Sequence, residues 1–133
     1  MKVLVDTNII IDVVTGRHPF FQNSYQALKK CIDSGSVIIP ASSFSDIYYI
    51  VRKSIGNENT RNALIDIIEF STIADTKAVD IKKALKSDIK DFEDAIVCMI
   101  AKRVKADYIL TRNKKDFINS PIKAIEPAEF LDL

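Results

Sequence analysis

Histidine occurs once in the 133 residues, at His18. Paired-histidine acid-base nucleases, H-E-x-x-H proteases and histidine-rich zinc sites are therefore excluded. Two cysteines, Cys31 and Cys98, are too few for a zinc site of four thiolates. The three glycines, Gly16, Gly35 and Gly56, make no G-x-G-x-x-G, no P-loop and no G-x-S-x-G elbow, which removes the common nucleotide-binding and serine-hydrolase classes. Long apolar runs are also missing. The longest stretch without Asp, Glu, Lys or Arg is Ser34 to Ser45, twelve residues, against the roughly 20 apolar residues that span a bilayer. Met1-Lys2-Val3-Leu4-Val5 begins as a secretion signal would, but Asp6 and Asp12 interrupt its apolar region. The expectation is a cytoplasmic protein with no membrane association and with reduced thiols. Cys31 and Cys98 each lie among apolar residues in a helical pattern and read as small buried hydrophobes.

What is present is an ordinary balance, 47% hydrophobic and 28% charged, with a net charge of +1. No repeat or Pro/Gly/Ser linker divides the chain, so residues 1–133 read as a single domain. Lys2–Asp6, Ser36–Pro40 and Asp107–Thr111 are short, β-branched apolar runs of the kind buried on both faces of a parallel sheet. Ser71–Ala74 and Lys123–Ile125 are weaker strands, expected nearer an edge. Helical patterns cover Phe20–Asp33, Ser43–Ser54, Glu58–Phe70, Ala78–Leu85 and Asp91–Lys105. Alternating strands and helices predict an α/β protein, a three-layer α/β/α sandwich around a mainly parallel sheet.

That topology carries a consequence for the acids. In an open parallel sheet, helix N-termini lie at the edge where the strands end, and ligands bind at that edge. Asp6 closes the first strand, and Asp46 is expected in the first turn after the second. Asp91 and Asp94 open the last long helix, and Asn113 and Asp116 follow the third apolar strand. All are expected at one edge. Two carboxylates about 4 Å apart repel by roughly 4 kcal/mol at an effective dielectric of about 20, so such a cluster needs protons or cations. Mg2+ or Mn2+, hard ions that take oxygen ligands and keep waters and substrate phosphate, answer that need, and such a site hydrolyses phosphodiesters without histidine.

Simpler roles stand beside this one. Ser43-Phe44-Ser45-Asp46 fits the S/T-x-x-D/E capping pattern, and Asp91 fits a helix N-cap with Asp94 three residues on. Asp6 is harder to explain structurally. A carboxylate that ends a buried apolar strand costs several kcal/mol unless paired or metal-bound, and the only nearby base in sequence is Lys2.

Four segments together resemble the PIN domain, a metal-dependent ribonuclease fold found in many toxin components of toxin-antitoxin pairs. They are Val3-Leu4-Val5-Asp6-Thr7-Asn8, Ser42-Ser43-Phe44-Ser45-Asp46-Ile47, Asp91-Phe92-Glu93-Asp94-Ala95 and Ile109-Leu110-Thr111-Arg112-Asn113-Lys114-Lys115-Asp116-Phe117. The resemblance implies that Asp6, Asp46 and Asp94 bind Mg2+ or Mn2+, with Asn8, Asp91 and Thr111 supporting the site. Two departures matter. The second acidic position, often Glu in the family, is Asp46. The fourth, usually an Asp, is Asn113, for which Asp116 substitutes if its loop turns inward. The expected activity is an endoribonuclease, the toxin held by a cognate antitoxin. A PIN module that binds RNA or a protein without cutting is the alternative. An Asp-nucleophile phosphatase wants an acid two residues beyond Asp6, where this chain has Asn8.

Between Lys102 and Lys115 six basic residues face one acid, Asp107. Arg112, Lys114 and Lys115 are expected in the loop at the active edge, holding RNA phosphates. Lys102, Arg103 and Lys105 belong to a helix end, where cations are expected anyway. Arg17-His18-Pro19-Phe20-Phe21 is placed between the first two helices, with His18 a loop residue or a neighbour of RNA. Tyr48-Tyr49-Ile50-Val51 is apolar nearly all round its helix, which fits either core packing or a homodimer and antitoxin surface.

Overall fold

The computed structural model describes residues 1–133. In chain order the elements are β1 (Val3–Val5), α1 (Thr7–Thr15), α2 (Phe21–Asp33), β2 (Val37–Pro40), α3 (Ala41–Ile55) and α4 (Asn57–Phe70). They continue with β3 (Ser71–Ala74), α5 (Ala78–Leu85), α6 (Phe92–Arg103), β4 (Tyr108–Leu110), a 3-10 turn (Lys114–Phe117), β5 (Ala124–Ile125) and α7 (Pro127–Leu131). The sheet order is β3-β2-β1-β4-β5, and every pairing is parallel. The two weaker strands are indeed its edges.

Registry and side-chain alternation make two cores from this one sheet. Val3 pairs with Val37 and Val5 with Leu110, and these residues face the same side. They pack there against Ile9 and Ile10 of α1, Ala27 and Cys31 of α2, Ile47 of α3, Ile67 of α4 and Phe130 of α7. Leu4, flanked by Ile38 and Ile109, faces the other way, onto Ala84 of α5, onto Ala95, Cys98 and Ala101 of α6, and onto Phe117. With period two along the strands and apolar residues at every position, both faces must be covered by helices. The result is the three-layer α/β/α architecture, with an all-parallel sheet. Both cysteines are buried free thiols. No helix is long and apolar enough to cross a membrane.

Two helices fall outside the segments read as helical. The sequence pattern implies Thr7–Thr15 only through the place of Arg17–Phe21 after a first helix; its run Ile9-Ile10-Ile11 has β-branched composition, and the packing of Ile9 and Ile10 on the sheet overrides that propensity. Pro127–Leu131 is five residues long, too short to show a period. The last long helix ends at Arg103, two residues early, and Lys105 takes a positive φ of 59° in the turn that follows.

Candidate active site

Asp6 stands where β1 becomes α1. Its backbone N–H donates to the carbonyl of Leu110 in β4 at 2.9 Å, so the sheet itself fixes where its side chain leaves the edge. With φ −73° and ψ 153° it is the N-cap of α1, and Oδ1 accepts from the N–H of Thr7 at 2.8 Å. Oδ2 accepts from the Thr111 hydroxyl at 2.8 Å and from the Asn8 amide at 3.3 Å. Burial pushes the Asp6 pKa up, the Thr111 and Thr7 hydrogen bonds and the Arg112 charge draw it down, and the charge of Asp116 raises it again. The cost that the sequence predicted for this buried carboxylate is met by three donors and one nearby guanidinium.

Asp94 lies in the first turn of α6, and Asp91 is that helix's N-cap, its Oδ1 accepting from the Asp94 N–H at 2.9 Å. The capping role read for Asp91 is thus its observed contact. No side chain or backbone group donates to the Asp94 carboxyl. Its pKa is pushed up to about 7, first by burial and then by the charges of Asp91, Asp6, Asp116 and Glu93. Every one of these influences acts in the same direction, and no Lys or Arg forms an ion pair with Asp94.

The 3-10 turn after β4 explains why Asp116 joins this group. The Asp116 N–H donates to the Asn113 carbonyl at 2.9 Å, which folds the loop back, and Asp116 is near enough to raise both Asp6 and Asp94. Asn113 donates its backbone N–H to the Thr111 hydroxyl at 3.1 Å, while its side chain stays exposed with no partner. Thr111 is fully buried, and its one hydroxyl also receives the Asn8 amide at 3.4 Å. Thr111→Val keeps the shape and removes that junction. The expected result is a loss of about 1–3 kcal/mol in urea unfolding and a further rise in the Asp6 pKa, read by carbon-detected NMR titration. An unmoved Asp6 titration would show that the hydroxyl does not set this carboxylate.

Asp46 is placed differently from expectation. α3 starts at Ala41 without a side-chain cap, so Asp46 lies in the second turn, exposed, and makes no hydrogen bond or ion pair. The capping reading of Ser43 and Asp46 is corrected by the same observation. Ser43 is buried inside α3, and its Oγ accepts from the Thr7 hydroxyl at 3.1 Å, joining the starts of α1 and α3. No three Asp, Glu, His or Cys side chains lie close enough to close a shell round a metal ion. The donor set at the edge is nevertheless all oxygen and all anionic, with an uncompensated Asp94 beside Asp6 and Asp116. That chemistry fits a hard divalent cation that retains water for its remaining positions.

The PIN domain family profile matches residues 2–115. The chain belongs to the PIN domain family. This PIN domain is similar to Ribonuclease VapC1 of Aquifex aeolicus (strain VF5), 26% identical over 137 aligned residues that cover 98% of this chain and 94% of the relative. Among solved structures it resembles a toxin-antitoxin complex from Klebsiella pneumoniae, with 25% identity, a TM-score of 0.74, and coverage of 95% of this chain and 98% of that one. VapBC2 from Rickettsia felis, solved bound to a DNA fragment from its promoter, superposes with a TM-score of 0.73 at 21% identity over 95% and 98% of the two chains.

The cations of the PIN domain's edge loop are not equally free. Arg112 is turned inward, its Nε 2.6 Å from Asp12 Oδ2 and a terminal nitrogen 3.2 Å from Oδ1. The expectation of Arg112 as a phosphate ligand gives way to this pairing, because a fork spent on a buried carboxylate has few donors left for RNA. Lys114 pairs with Glu129 at 2.8 Å, but both side chains are exposed, and such a pair yields readily to a phosphate. Lys115 has no ion-pair partner. His18 is an exposed loop residue. Asp12 and Ser24 are the residues that motif reading missed. Their only signal was the spacing of Asn8 and Asp12, four apart, which becomes informative once residues 7–15 are known to be helical.

Proposed function

We propose that this PIN domain is a metal-dependent endoribonuclease acting as the toxin of a toxin-antitoxin pair in the cytoplasm. The observation that carries the reading is Asp94, a carboxyl pushed up to about 7 by its acidic neighbours at the ligand-binding edge of a parallel sheet with no Lys or Arg ion-paired to it. Asp6 and Asp94 would hold Mg2+ or Mn2+ with water filling the remaining positions, and Asp116 and Asp46, the latter one turn into α3, would reach it through water. When bound, such an ion polarises a phosphodiester and acidifies water. The chain's own contribution is orientation: Thr111, Asn8 and the Thr7 N–H fix Asp6 from three directions. Asp91 holds the first turn of α6 and so the base of Asp94, while Asn113 offers a neutral amide oxygen at the rim. Lys115 and a displaceable Lys114 provide cations for the RNA backbone.

Two exposed apolar grooves support the partner part of the reading. Tyr49, Ile65 and Ile68 of α3 and α4 are exposed around a groove that Phe44, Tyr48 and Leu64 also line. A second apolar groove, about 410 Å3, lies between α1, α2 and α4 and is lined by Val13, Val14, Leu28, Ile32 and Phe70. Homodimer and antitoxin contacts are assigned to these faces, in keeping with the VapBC and toxin-antitoxin assemblies that the fold resembles. The test is calorimetric titration of Mn2+ into the purified, partner-free protein, followed by an assay on fluorescent single-stranded RNA with and without chelator. Metal binding together with cleavage that the chelator reduces to background is the expected result. Absence of both would make the domain a binding module.

A further inference from the structure

We infer that the Asp12–Arg112 ion pair is the positioning device of the candidate site: it clamps the residue 111–113 turn onto α1 so that Thr111 and Asn8 can hold Asp6. Asn8 and Asp12 are one helical turn apart and grip the same residue, Asn8 Oδ1 accepting from the Arg112 N–H at 3.3 Å while Asp12 takes the guanidinium in a fork. Asp12 is fully buried and the Arg112 side chain 18% exposed. The Phe20 ring covers the guanidinium at 3.8 Å, and Ser24 of α2 donates to Asp12 Oδ2 at 2.9 Å. The path to Asp6 is short. Arg112 is covalently next to Thr111, whose hydroxyl donates to Asp6, and the other end of the same Asn8 amide also donates to Asp6. The guanidinium fork is spent on Asp12 beneath Phe20, so Arg112 acts here as a positioning residue.

The inference rests on the nuclease reading for its kinetic arm, but not for its structural one. Lysine keeps the charge of arginine and loses the fork. Arg112→Lys and, from the other side, Asp12→Asn should therefore both lower kcat on single-stranded RNA by about 10- to 100-fold, the range found when groups that orient metal ligands are lost. The Kd for RNA, measured in chelator, should stay within about two-fold. Arg103→Lys is the control. Arg103 forms the molecule's other forked pair with a buried aspartate, Asp80, between α6 and α5, on the opposite face of the sheet from α1. It should lose comparable thermal stability and keep its kcat.

The structural arm uses the Asn8 side-chain amide, which is expected to be dispersed and slowly exchanging by NMR in the wild type and in Arg103→Lys. In Arg112→Lys it should move to the values of an exposed amide. A wild type that neither binds Mn2+ nor cuts would overturn the nuclease reading while leaving the NMR comparison to decide the clamp. An Asn8 signal unchanged in Arg112→Lys, or a deficit confined to RNA Kd, would overturn the clamp itself.

Discussion

Asp94→Asn should abolish RNA cleavage and, in the same molecule, raise the thermal stability of the metal-free protein. The loss of activity should be about 100-fold or more, the upper end of what even the outer partners of metal ligands cost. The gain in stability follows from the sign of the pKa shift. An unfolded Asp titrates near 3.9, whereas folded Asp94 titrates at about 7. Between those values the folded protein keeps a proton that the unfolded chain has released, so stability falls as pH climbs from about 4 to about 7 and the penalty is complete above that. Asparagine removes the titration. In chelator the variant should melt a few degrees above wild type at pH 8, roughly 1 kcal/mol after allowance for solvent screening of a part-exposed group. The gap should close toward pH 4. Excess Mn2+ should reverse the order at pH 8 by stabilising only the wild type. A gap equal at pH 4 and pH 8 would mean that the acidic cluster imposes no electrostatic penalty.

Asp12→Ala has the largest expected cost to folding, about 3 kcal/mol in urea denaturation. Three things are lost at once: the acceptor of both Arg112 bonds, the acceptor of the Ser24 hydroxyl, and the charge that lets a guanidinium lie beneath Phe20. The expense lies in the charge left behind. The double variant Asp12→Ala/Arg112→Met, which buries no cation, should regain most of the loss, because replacing both members of a buried pair by apolar groups is far milder than removing one. A single variant that costs less than about 0.5 kcal/mol would show Arg112 swinging past Phe20 into water, since surface changes without buried consequences fall in that range.

Strand and helix order were legible because β1, β2 and β4 are near-continuous apolar runs, and because the acids at helix starts and strand ends converge by topology alone. Asp6, Asp94 and Asp116 illustrate that route, since each could be placed at the sheet's edge without coordinates. Arg112 shows its limit. A basic residue in an edge loop reads as a phosphate ligand, and only the helical state of residues 7–15, hidden under β-branched composition, brings Asp12 within reach of it. Asp46 shows another. A capping pattern located the helix start at Ser43, but β2 passes into α3 at Pro40 with no side-chain cap, which moves Asp46 one turn further along. Local patterns locate elements, whereas long-range ion pairs depend on which elements the sheet order makes neighbours.

The central place of β1 governs when the edge cluster can exist during synthesis. Strand β1 is made before both of its neighbours: it pairs with β2 through Val3 and Val37, and its other side waits for Tyr108 and Leu110. Chains emerge N-terminus first at about 5–20 residues per second, and long-range parallel pairing is intrinsically slow. Asp6 therefore reaches the ribosome surface more than a hundred residues ahead of the Leu110 carbonyl that holds its N–H and the Thr111 hydroxyl that holds its carboxyl. A nascent or truncated chain that stops before Tyr108 carries Asp6, Asp46 and Asp94 but lacks Asp116 and the contacts that arrange them, so whatever this edge does begins only after β4 and the loop that follows it have been made.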